Sequence, residues 1–223
     1  MIKALKTGIG VAVLAAMVWP LGASAGVVTF ELDREFSGAD DPAGPTPWLT
    51  ATFDDGGSPG SVRLTMEATN LVGNEFVSRW LFNVKPTIDP TTLGVAFTDI
   101  ANVGLSSLTL GFDCCKADGD GFFDMQFNFN NGAFTSGESA VIDFSKPGLK
   151  AEDFDFLSTG AGNSPEGLAT AAHVQGIGTN DEGSGWITGV DGNGRNLPEP
   201  TSMLLIGAGL LGLGGVVRAR RRR

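Results

Sequence analysis

The chain has 223 residues, with 25 Asp and Glu against 15 Lys and Arg, one His, two Cys, 33 Gly and no Tyr; its formal net charge is −10. An excess of negative charge repels polyanions, so nucleic-acid binding is excluded. A single histidine excludes a zinc site built from several imidazoles.

In chain order, the first 25 residues come first. Lys3 and Lys6 precede an apolar stretch from Gly8 to Pro20, and Ala23-Ser24-Ala25 follows. A basic region, a short apolar region and a small-x-small site form a secretory signal peptide, cut between Ala25 and Gly26. The apolar run is short for a membrane span of ~20 residues. Residues 26–197 then form one exported domain with enough chain for a real core. Without Lys3, Lys6, Glu199 and the five arginines at the C-terminus, eight basic residues face twenty-four acidic ones, a charge of −16. Such a charge suits a soluble exported domain.

This domain reads as strands broken by turns. "GVVTFEL" (26–32), "WLTATF" (48–53), "FVSRWLFNV" (76–84), "GVAFTDI" (94–100), "SLTLGF" (107–112), "AVIDF" (140–144) and "GWITGV" (185–190) are candidates. Two segments are clearer. In "SVRLTMEAT" (61–69), Val62, Leu64, Met66 and Ala68 take one face. In "FFDMQFNFN" (122–130), Phe123, Met125, Phe127 and Phe129 do the same. Period two marks a half-buried strand. Asn131-Gly132 follows the second segment and predicts a type I′ hairpin turn. "KAEDFDF" (150–156) and "EGLATAAH" (166–173) hold at most a turn of helix. The pattern predicts an all-β domain, an antiparallel β-sandwich of jelly-roll or immunoglobulin-like type.

Several residues carry chemistry. Cys114 and Cys115 are adjacent, and an exported domain meets oxidising conditions. Neighbouring Cα atoms lie below the usual disulfide range of about 4.4–6.8 Å. A strained vicinal disulfide, intermolecular bridges and free thiols all stay open. In the surrounding "DCCKADGDGFFD", Asp118, Asp120 and Asp124 are a candidate calcium set. A solvated Asp-Gly turn is the plainer reading, because Phe122 falls where an EF-hand loop needs a ligand. His173 would have to serve any Ser-His-Asp triad, but no G-x-S-x-G occurs; it is read as a strand residue. Trp48, Trp80 and Trp186 are candidates for stacking on sugars, with Trp80 the most core-like.

The last 28 residues, "NLPEPTSMLLIGAGLLGLGGVVRARRRR", follow a different logic. Residues 203–217 carry no charge. As a helix they reach about 22 Å, a short transmembrane helix against a core of ~30 Å. Arg218, Arg220, Arg221, Arg222 and Arg223 form a stop signal that holds the C-terminus in the cytoplasm. "GAGLLG" matches a dinucleotide fingerprint, yet no acidic residue follows it, so that reading fails. "LPEPT" also differs from a sortase signal, because Pro200 stands at the threonine position.

Pro198-Glu199-Pro200, the apolar helix and the arginines resemble a PEP-CTERM sorting signal. The resemblance implies an exosortase-type processing enzyme as partner, cutting near the triplet in a Gram-negative bacterium that makes exopolysaccharide. Two prolines keep that stretch extended for a cutting enzyme. "AAHVQGIG" (171–178) and "GSGWI" (183–187) resemble the end of a β-rich module that accompanies such tails. The expectation is a non-enzymatic protein of the cell surface or extracellular matrix, associated with polysaccharide or biofilm, with no cofactor beyond the candidate calcium. Two other classes stay open: a secreted enzyme acting on polysaccharide, and a specific carbohydrate- or calcium-binding module.

Overall fold

The computed structural model describes residues 25–189. The strands in chain order are β1 (Val27–Leu32), β2 (Arg34–Glu35), β3 (Leu49–Asp54), β4 (Ser61–Glu67), β5 (Phe76–Phe82) and β6 (Gly94–Asp99). Then follow β7 (Leu105–Lys116), β8 (Gly121–Phe129), β9 (Ser139–Ser145), β10 (Thr159–Gly160), β11 (Thr170–Ile177) and β12 (Gly183–Thr188). Among the described residues, helix is confined to two 3₁₀ turns, Pro90–Thr92 and Ala151–Phe154. The second lies in "KAEDFDF", where one turn is expected. "EGLATAAH" instead enters β11. Among the described residues, no helix is long and apolar enough to cross a membrane; the expected span at 203–217 lies outside them.

All strand pairs are antiparallel. One sheet has five strands in the order β1-β3-β4-β9-β6. The other has seven: β10-β8-β5-β11-β12-β2, with β7 on β8. Alternation in β4 buries Val62, Leu64 and Met66 completely. In β8, Phe127 sits opposite Trp80 of β5 and Leu108 of β7. The two inner faces meet through aromatic rings. Phe53 of β3 packs edge-on against Phe82 of β5, with ring centroids 5.2 Å apart. Phe154 of the second 3₁₀ turn stacks on Phe53 at 4.3 Å.

Beyond β1, one segment stitches the sheets together. β1 pairs with β3 in the five-stranded sheet, and β2 pairs with β12 in the other. Asp33 between them donates its N–H to the Thr188 carbonyl at 3.1 Å. A strand that changes sheets in this way closes one corner of a sandwich.

Two expectations are corrected. Asn131-Gly132 does form a turn, with the Ala133 N–H bonded to the Asn130 carbonyl at 3.1 Å. Only Gly132 has positive φ, however, and a type I′ turn needs it at both central residues. The turn therefore does not fold β8 back on a neighbour; the chain crosses to β9 in the other sheet. Phe123 is buried as expected, but not with the rest of its stripe. It packs in a second cluster with Leu81, Cys115, Ala117, Leu168 and Trp186. There the β7–β8 ladder slips between Leu110 and Cys115, and a bulge re-aims the side chains around it.

Candidate functional site

The sorting residues Pro198, Glu199 and Pro200, the arginines at 218 and 220–223, and Ala23 lie outside the described residues. Ala25 and Gly26 open the described chain. Ala25 is exposed. Gly26 donates its N–H to Asp55 Oδ1 at 2.8 Å, and the Asp55 N–H returns to the Gly26 carbonyl at 3.1 Å. Asp55 is buried and also accepts N–H bonds from Gly57 at 2.9 Å and Ala151 at 3.3 Å.

Of the three fates left open for Cys114 and Cys115, the structure holds the vicinal disulfide. It lies at the β7 bulge, just after Asp113, whose φ of 47° is left-handed. Cys115 turns into the second cluster, while Cys114 stays exposed. Regular strand geometry points neighbours to opposite faces; the bulge is what relaxes that rule here.

The three aspartates are not brought together. Asp118 is exposed in the turn, at a φ of 48°. Asp120 is buried and accepts the Asn163 N–H at 2.6 Å. A Cβ on Gly162 would come within 1.9 Å of its Oδ1, so glycine is required at that point. Asp124 accepts from the N–H groups of Asp113 and Val84 at 3.0 and 3.2 Å. Asp120 and Asp124 thus spend their oxygens on loop backbone. Among the described residues no three His, Cys, Asp or Glu side chains are grouped to hold a metal ion.

His173 is a strand residue in β11. Its ring stacks on Trp186, with centroids 4.7 Å apart, and its Nδ1 lies 2.9 Å from Ser78 Oγ. Ser78 is itself buried in mid-strand, closed to a substrate. Burial pushes the imidazole below its usual range, the Arg79 charge adds to this, and Asp118 partly offsets it.

Trp48, Trp80 and Trp186 are all buried, which removes them as platforms for sugar. Trp80 donates its indole N–H to Thr170 Oγ1 at 3.0 Å, and Trp48 to the Gly44 carbonyl at 2.7 Å. These are packing roles.

One cleft gathers charge of the rarer sign. The basic residues of 25–189 are Arg34, Arg63, Arg79, Lys85, Lys116, Lys146 and Lys150. Lys85, Lys146 and Lys150 all line one opening of about 260 Å³ beside the second 3₁₀ turn. Lys85 lies 3.4 Å from Asp153, and Lys150 lies 3.3 Å from Glu152. Lys146 donates instead to the Thr92 hydroxyl at 2.7 Å. The backbone brings them together: the Lys85 N–H bonds to the Asp153 carbonyl at 2.7 Å. Sequence reasoning missed this cleft because Lys85 is far from the other two along the chain. A larger opening of about 590 Å³ lies where the described chain ends, lined by Arg34, Asn163, Ser164, Glu166 and Thr188.

Comparison with known proteins adds one finding. Residues 196–223 match the family model described as the PEP-CTERM protein-sorting motif. The chain therefore carries this sorting motif at its C-terminus, over the residues that resemble it by eye. The motif implies an exported protein that is processed at the membrane. No curated protein and no solved structure matches the chain.

Proposed function

We propose that this chain is a non-enzymatic protein of the cell surface or extracellular matrix, delivered there by its tail. The signal peptide sends the domain outward, and the helix at 203–217 arrests it in the membrane with the arginines inside. An exosortase-type enzyme then cuts near Pro198-Glu199-Pro200, and the sandwich joins the exopolysaccharide. The observation that carries this reading is the sorting motif at residues 196–223. A stable all-β domain in front of it supplies the cargo.

Fractionation of a host with the processing enzyme tests it. Changing Pro198 and Pro200 to Ala should leave an exported chain of precursor mass in the membrane. Neutralising the five arginines should weaken arrest instead, because charge asymmetry holds the C-terminus inside. A Pro-to-Ala chain that reaches the matrix at wild-type mature mass would overturn the reading.

The lysine cleft favours a second reading, a module for a carboxylate-bearing sugar. Fields are screened beyond ~8 Å at physiological salt, so a local cluster can accept an anion on an acidic domain. Lys146 is the member without a carboxylate within salt-bridge distance among the described residues. Retention of the exported protein on a polyuronate gel should fall in Lys146→Glu. Equal retention on polyuronate and neutral glucan would exclude this reading.

A further inference from the structure

The two edges of the sandwich are built differently. On one side, the chain passes through Asp33 from β1 to β2 and ties the sheets together. On the other, β6 ends the five-stranded sheet and β7 flanks β8 of the seven-stranded one, each with an edge that pairs with no further strand among the described residues. Between them runs a groove of about 360 Å³ lined by Phe97, Ile100, Leu105, Leu108 and Leu110. Phe97 is 47% exposed and Phe112, further along β7, is 55% exposed.

Natural proteins protect long free edges with lysine, proline or a covering segment. From Leu105 to Phe112 this edge has no charge and no proline. The depletion extends further: between Pro90 and Phe112, Asp99 is the only charged residue. Those residues include all of β6 and the free half of β7. In a domain of −16, two copies repel each other wherever acids meet acids. An uncharged edge is where they can approach without that cost.

We infer that the β7 edge, with the groove beside it, is a self-association surface whose occupant is a second copy of this chain. Antiparallel pairing of β7 with its mate about a twofold axis continues the seven-stranded sheet from one copy into the next. Phe97 and Phe112 lose solvent in the process. This inference uses neither the sorting tail nor the lysine cleft, and so stands apart from the proposed function.

Sedimentation of the chain as its host exports it, at about 1 to 100 µM, tests the idea. A dimer should form, and it should tighten as salt rises from about 0.05 to 0.5 M, because screening relieves the like charge. Thr109→Glu places an acid next to its twofold mate on an exposed site. It should weaken the dimer about tenfold or more at low salt, with partial recovery at high salt. Phe112→Ser should weaken it at both salts. Melting curves of both variants should match wild type, since both side chains are exposed. A monomer throughout at high salt overturns the inference. So does a dimer that loosens with salt, which would mark a charged interface elsewhere, or one that neither substitution changes. If a neutral glucan binds the same edge and the chain stays monomeric, the occupant is wrong.

Discussion

The five-stranded sheet has one wet face, whereas the seven-stranded sheet carries a second cluster over part of its outer face, around Leu81 and Ala171, while Arg79 and most of β7 stay exposed. In β4 the outward residues Arg63, Thr65 and Glu67 reach solvent, and Arg63 holds Asp143 of β9 at 2.8 Å. In β5 and β11 the outward Leu81 and Ala171 are fully buried, under Cys115, Leu168 and Trp186. Long loops roof that face. Their polar backbone is met by buried side chains: Asn83 donates to the carbonyls of Leu168 and Ala169 at 3.1 and 3.2 Å. The lesson is that a sheet's outer face becomes a second core once loops of this length lie on it. Alternation then stops reporting which side faces inward.

Phe127→Asp puts an unpaired charge between the sheets and should cost about 4 kcal/mol or more, read as loss of the cooperative melt. Leu81→Ala tests the roof. If the outer cluster packs as a core, urea unfolding should show a loss of about 2–4 kcal/mol. Thr65→Ala on the wet sheet should stay within about 0.5 kcal/mol of wild type. Similar losses in these two variants would erase the distinction between the sheets.

Acid separates the sheets more finely. His173, on the roofed face, has its pKa lowered by burial. The unfolded chain therefore binds the proton first. Its contribution is complete above about pH 6.5 and declines below it. His173→Phe should flatten the stability profile as pH falls below about 6.5. Asp143, on the wet face, has its pKa lowered chiefly by Arg63, with Thr98 assisting. Its contribution is present above about pH 4 and is lost as pH falls further. Asp143→Asn should remove that lower step and leave the upper one, a small change because the ion pair faces water.

Local patterns were legible in the sequence, and assemblies of distant residues were not. β4 and β8 announce themselves by period two, because each turns one face to the core. β2 and β10 are two residues long and exist only through β12 and β8; nothing local marks them. Asn131-Gly132 signals a turn correctly but says nothing about which sheet the chain enters next. The sorting motif is legible because order along the chain is all that such a signal requires. The lysine cleft and the second cluster depend on loops returning across a sheet, so their members are scattered. Adjacent cysteines leave three fates open, since the bulge that selects one of them is set by β8.

The contact between Gly26 and Asp55 gives maturation a direction. While residue 25 is attached, the Gly26 nitrogen is an amide, and it offers the buried carboxylate a neutral hydrogen bond. The cut expected after Ala25 would turn that same nitrogen into an α-ammonium. Asp55 has no lysine or arginine within salt-bridge distance among the described residues, so that charge would be its counter-ion. Charge-assisted bonds are roughly twice as strong as neutral ones. With the expected cut after Ala25, the mature domain would hold a charged partner for Asp55 that the precursor lacks.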